Sequence, residues 1–182
     1  MAQNVIIITG TPGTGKTSLA RALAKRLGAL FVSINGLVEE KKLWAKIEGG
    51  CKVVRMAKLE EELRRMIKEC RKLGKRIVIE GHLGCELHVD ADIVLVLRTH
   101  PEILRRRYAR RKYRIEKIEE NVMAEMLDYC VIMSEKNYRK AKIIEIDTSK
   151  TKLKDTLKKT LAFMEKGKGE NVDWSGVLFE SV

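Results

Sequence analysis

Val5-Ile-Ile-Ile-Thr9-Gly10-Thr-Pro-Gly13-Thr14-Gly15-Lys16-Thr17-Ser18-Leu19-Ala20 is the stretch whose reading decides the fold. An apolar run passes directly into G-x-x-x-x-G-K-[ST], and an amphipathic segment follows, so the order is strand, phosphate-binding loop, helix. The glycines let the backbone turn tightly and present its N–H groups to phosphate oxygens. The helix N-terminus adds positive potential, and the Lys16 ammonium can reach the outer phosphates. On this reading Gly13, Thr14, Gly15, Lys16, Thr17 and Ser18 hold a nucleoside triphosphate such as ATP, and the Thr17 hydroxyl is placed to ligate Mg²⁺.

Working outward, Ala29 to Val32 reads as a second strand, Arg76 to Glu80 as a third, Ile93 to Leu97 as a fourth and Ile143 to Ile146 as a fifth. Helical periodicity separates them. Leu37 to Lys46 reads as a charged helix broken by Gly49-Gly50, and Met56 to Cys70 as an amphipathic surface helix. Thr99-His-Pro-Glu102 has the form of a capping box with proline near the first helical position. One continuous helix is expected from Ile115 to Met133, and a last one from Leu153 to Met164. Beyond it Lys166-Gly-Lys-Gly169 reads as a flexible link and Val172 to Phe179 as an apolar tail that docks on the domain.

The expected architecture is a single α/β domain over residues 1–182, a three-layer P-loop NTPase built on a five-stranded parallel sheet. Ligands of such sheets bind beyond the carboxyl ends of the strands, which brings Gly10, Ser33, Glu80, Arg98 and Asp147 to one crevice. Glu80 ends a strand where an acid can help hold Mg²⁺. His82 follows in the next loop, where an imidazole could orient a water or order that acid. Arg105, Arg106, Arg107, Arg110, Arg111, Lys112 and Arg114 form a dense basic segment suited to phosphoryl transfer, which spreads negative charge over the transferring group. The competing reading is a surface for RNA. His88 and His100 receive no role.

The 182 residues carry a formal net charge of +12, which makes polyanions plausible partners, and 45% apolar residues suffice for a core. No run approaches a membrane span, and the chain enters its first strand without a signal peptide's features, so a cytoplasmic protein with no membrane partner is expected. The four cysteines, Cys51, Cys70, Cys85 and Cys130, never form C-x-x-C and read as reduced, mostly buried thiols. Gln3 is the only glutamine, a weak thermophilic signal.

These residues together resemble the adenylate kinase isoenzyme 6 (Fap7) family. The resemblance rests on the Gly10 to Thr17 loop, on Ile77 to Cys85, on Val94 to Thr99, and on Arg107, Arg111, Tyr113 and Lys117 followed by Asn121 and Glu125. It implies an NMP-kinase-like fold with an NMP-binding arm over about 33–72, a short lid over about 107–120 and a tail over 167–182. The implied reaction is ATP + AMP to two ADP with Mg²⁺. Lys16, His82, Arg107 and Arg111 would be catalytic, Thr17 and Glu80 would hold the metal, and Ser33, Ile34, Gly36, Leu37 and Val38 would line the NMP pocket. It also implies ATP hydrolysis in small ribosomal subunit maturation, with ribosomal protein uS11 and pre-rRNA or a small-subunit precursor as partners.

The chain departs from the family pattern in places. Glu80 stands for the usual Asp, and Leu83 is an added residue. Arg55 stands where relatives tend to be acidic, and Glu39 takes the position of an arginine near the NMP phosphate, where it would repel AMP. Two alternatives to adenylate kinase activity therefore stay open, an assembly ATPase with weak or no NMP kinase activity and a kinase for another small acceptor. A simple DNA-binding role has the least support, because no helix-turn-helix or zinc pattern accompanies the positive charge.

Overall fold

The computed structural model describes residues 4–48, 51–111 and 113–179. Its frame is a parallel sheet of β1 (Val5–Thr9), β2 (Leu30–Ser33), β5 (Ile77–Glu80), β6 (Ile93–Arg98) and β7 (Lys142–Asp147), ordered β2-β5-β1-β6-β7. The central strands are apolar on both faces because each face is covered. Val5, Ile7, Ile77, Ile79, Val94 and Val96 pack under α3 (Met56–Lys72) through Leu59, Leu63 and Ile67. Ile6, Ile8, Val78, Leu95 and Ile144 face α1 (Lys16–Leu27) and α7 (Leu153–Lys166) through Leu19, Leu23 and Met164. The three layers and the five strands agree with the sequence reading.

Three local expectations are corrected. The segment Leu37 to Lys46 is not one helix: α2 spans Ile34–Glu40, and an antiparallel hairpin of β3 (Trp44–Glu48) and β4 (Cys51–Val54) follows. Lys42, at φ 50°, turns the chain out of the helical path. The expected breaker Gly49-Gly50 lies outside the described residues. No capping box forms at Thr99 either, because its hydroxyl pairs with Thr148 Oγ1 at 2.7 Å. His100 is instead the residue before α4 (Pro101–Arg110), with Pro101 opening the helix.

The helix expected from Ile115 to Met133 is two, α5 (Ile115–Met126) and α6 (Tyr129–Asn137), parted by Asp128 at φ 53°. The break has a tertiary cause. Arg98, at the end of β6 and 1% exposed, donates to Glu125 Oε1 (2.8 Å), to Glu145 Oε2 (2.7 Å) and to the Asp128 carboxylate. It does not face the crevice as the sequence suggested; it holds α5, α6 and β7 together inside the protein. Burial lifts the Glu145 carboxyl above its usual range even with Arg98 beside it. The tail docks as expected, through α8 (Ser175–Phe179) and through Trp174, whose ring meets His100 edge-on at 5.1 Å.

Removing the shared cation would leave buried carboxylates without a partner. Arg98→Met is expected to cost about 3–5 kcal/mol, read by calorimetry as a fall in Tm of roughly 6–20 °C for a chain of this size. An unchanged Tm would mean that the ion cluster does not hold the helices.

Candidate active site

The loop between β1 and α1 owes its shape to glycine at two places. Gly10 has φ 132°, and a Cβ there would lie 2.3 Å from the Leu97 carbonyl oxygen, so only glycine lets the loop leave the sheet beside β6. Gly15 stands at φ 95° immediately before α1 and contributes no capping side chain. The first N–H groups of α1 therefore point into the loop unclaimed by any cap, which is the arrangement that binds phosphate.

Lys16 is 8% exposed and donates from Nζ to the Thr11 carbonyl across the loop at 2.9 Å. Burial pushes its pKa down to about 8, against the pull of Cys130, Glu80 and Glu125. Thr17 Oγ1 donates to Glu80 Oε2 at 3.3 Å, and Ser33 Oγ donates to Glu80 Oε1 at 3.0 Å. One carboxylate and one hydroxyl on neighbouring strand ends, with a second hydroxyl from the first turn of α1, make an all-oxygen set. That suits Mg²⁺, which takes one or two carboxylates and completes its shell with water and substrate phosphates. Ser18 is exposed beside Thr17.

The loop is held from behind by residues distant in sequence. Thr11 Oγ1 donates to Glu125 Oε2 at 2.6 Å, and Glu125 also accepts from the Thr99 amide (3.1 Å) and Trp174 Nε1 (3.2 Å). Arg107 donates to the Gly13 carbonyl at 3.0 Å and to the Thr148 carbonyl at 2.9 Å, while Thr148 donates to the Thr14 carbonyl at 2.9 Å. Arg107 is thus engaged with backbone at the rear of the loop. Burial and the nearby Arg111 lower its pKa. Arg111 caps the C-terminus of α4, exposed. Lys112 lies outside the described residues.

In front of the loop opens a cleft of about 870 Å³. Its walls are Gly10 to Pro12, Val38 and Glu39 of α2, Lys52 and Val54 of the hairpin, His82 and Leu83 after β5, and Tyr113, Lys117 and Asn121 at α5. Of the five residues expected to line an acceptor pocket, Val38 does so. Ser33 turns to Glu80, while Ile34 and Leu37 are buried in the core. Gly36 lies over Ser33, to whose hydroxyl its amide donates. His82 is exposed along the cleft, where partial desolvation, with Lys16 and Lys117 nearby, lowers its pKa. Asp147 does not face the cleft; its carboxylate accepts from the Ser149 amide at 2.8 Å.

Sequence reasoning gave Glu125 only through the resemblance, and it missed Lys52, Thr148 and Trp174. An acid set in the apolar stripe Ile118, Val122 and Met126 was the available signal for Glu125. Lys52 had none, since its strand was not expected.

A strand-loop-helix phosphate cradle with a buried lysine and an oxygen-lined metal corner defines a kinase-like P-loop enzyme. The model of an AAA domain family matches residues 6–128. A protein named "Putative adenylate kinase" from Thermococcus gammatolerans is 36% identical over 98% of this chain and 97% of its own length. One of the same name from Methanocaldococcus jannaschii is 33% identical over 96% and 95%. The chain belongs to this family of archaeal P-loop proteins. Shikimate kinase from Acinetobacter baumannii shares the fold at TM-score 0.60 and 20% identity, over 91% of this chain and 94% of that one. A gluconokinase from Sinorhizobium meliloti does so at TM-score 0.59 and 13% identity, over 90% and 93%.

With a pKa of about 8, Lys16 is half protonated at that pH when free. A bound polyphosphate favours the charged form, so ATP binding at pH 8 should take up roughly half a proton, and affinity should fall about tenfold per pH unit above it. Calorimetry in buffers of different ionisation enthalpy reads both. No uptake would show that Lys16 does not meet phosphate.

Proposed function

We propose that the protein transfers the γ-phosphoryl group of ATP to AMP, giving two ADP, with Mg²⁺. The observation that carries this reading is the Glu80 carboxylate, shared by Thr17 and Ser33, together with a cleft large enough for a second nucleotide that the same loop borders through Gly10 to Pro12. Thr17 and Glu80 would hold the metal, which when bound neutralises charge on the phosphate oxygens. The loop amides and Lys16 bind and orient the donor. Their low-dielectric setting strengthens each contact with developing charge. Glu80 keeps the Ser33 hydroxyl, and with it the start of α2, fixed relative to the loop, so donor and acceptor walls are in register. The archaeal relatives' name supports AMP as acceptor.

A second reading, ATP hydrolysis, is favoured by His82. Its lowered pKa leaves the imidazole neutral at pH 7, able to accept a proton from water at the mouth of the loop. The net charge of +12 supports a polyanionic or ribosomal partner for such a cycle, with pre-rRNA and uS11 the candidates from the resemblance.

An assay with γ-labelled ATP separates the two. The kinase reading expects ADP formation that requires AMP, with the label recovered in ADP, and a loss of about 100-fold or more in Lys16→Met. The hydrolysis reading expects phosphate release without any nucleoside monophosphate. That release should be lost by roughly 100-fold in His82→Ala and, because the His82 pKa is lowered, should persist as the pH falls through 6.5. Full activity of Lys16→Met in both arms would overturn both readings.

A further inference from the structure

Lys52 is a cation built into the cleft on an element the sequence did not announce. Its Nζ sits 3.8 Å from the centroid of the Trp44 ring on the facing strand, and it is ion-paired with Glu39 of α2. Both partners line up on the wall across from the phosphate loop. The pair is weakly held: the Lys52 side chain is 33% exposed and that of Glu39 58%, a setting in which an ion pair contributes little. Glu39 can return to water at small cost, leaving the ammonium steered by Trp44 toward the cleft.

Lys52 is set apart from the other basic groups of that cleft by the Trp44 ring, since among the described residues neither Lys117 nor His82 lies over an aromatic face. Lys117 pairs with Glu120 at 3.5 Å, and His82 is biased toward its neutral form by desolvation, with Lys16 and Lys117 nearby. Val38, Val54 and Met56 flank Lys52 with apolar surface suited to the body of a nucleoside. A doubly charged phosphomonoester competes for the ammonium better than one solvated carboxylate, whereas a neutral polyol does not compete.

We propose that Lys52 grips the phosphomonoester group of the acceptor, and that Glu39 occupies this ammonium until that anion displaces it. The proposal deepens the kinase reading and rests on it for the acceptor's place in the reaction. It makes the hairpin part of the acceptor site and selects anionic over neutral acceptors. It also reverses the expected effect of Glu39, which acts as a displaceable placeholder rather than as a standing repulsion.

The test combines kinetics with calorimetric titration of AMP and of adenosine into the full chain. Lys52→Met should raise KM for AMP roughly tenfold or more, with a smaller change in kcat, and Lys52→Arg should restore most of it. Glu39→Gln should lower KM for AMP about two- to fivefold, because the ammonium is freed. In titration, wild type should bind AMP more tightly than adenosine, and Lys52→Met should bind the two alike. A Lys52→Met variant that keeps wild-type KM and AMP affinity, or a Glu39→Gln variant that binds AMP more weakly, would reduce the pair to a clamp between α2 and the hairpin. AMP bound through Lys52 but never phosphorylated would sink the kinase reading alone. AMP that does not bind at all would sink both.

Discussion

The contact on which the site depends is the ion pair between Arg98 and Glu125, each almost wholly out of water. One Glu125 oxygen is occupied by Arg98 and the other receives the Thr11 hydroxyl from the phosphate loop. A buried carboxylate is tolerable only when its charge and lone pairs are met, and here they are met by groups from the loop, from β6 and from the C-terminal tail. Meeting them fixes the loop's rear edge relative to the sheet. The cost of hiding two charges is thus turned into positional precision for a backbone cradle that contributes few anchoring side chains of its own.

The same economy explains which parts were legible in the chain. The phosphate loop was, because glycine spacing dictates local backbone directly: Gly10 must pass the Leu97 carbonyl, and Gly15 must adopt a left-handed turn. The sheet was legible because five strands covered on both sides must be uniformly apolar. The hairpin was not. Trp44 to Val54 mixes charges with apolar residues, and its strands exist through pairing with one another, a partner that periodicity in one segment cannot show. The break at Asp128 escaped for a related reason. Its cause is a guanidinium 30 residues earlier in the sequence, and local propensity carries no trace of it.

Arg107 illustrates how residue type and position can point to a neighbourhood without giving an orientation. Arginine close to a phosphate loop reads as an electrostatic stabiliser, yet this one spends its donors on the carbonyls of Gly13 and Thr148. The positive field at the front of the loop comes instead from backbone amides, Lys16 and the cleft's own cations. Charge-rich sequence does not say which charges are neutralised internally, and in this protein Arg98 and Arg107 are both spent on architecture.

The tethering of the phosphate loop also dates its completion during synthesis. Thr11 waits for Glu125, 114 residues later; Gly13 waits for Arg107; and Thr14 waits for Thr148, 134 residues later. The loop is therefore synthesised ahead of all three of these supports. Order of synthesis thus places the whole glycine-rich motif ahead of the contacts that hold its rear edge, the last of them supplied by Thr148 directly after β7.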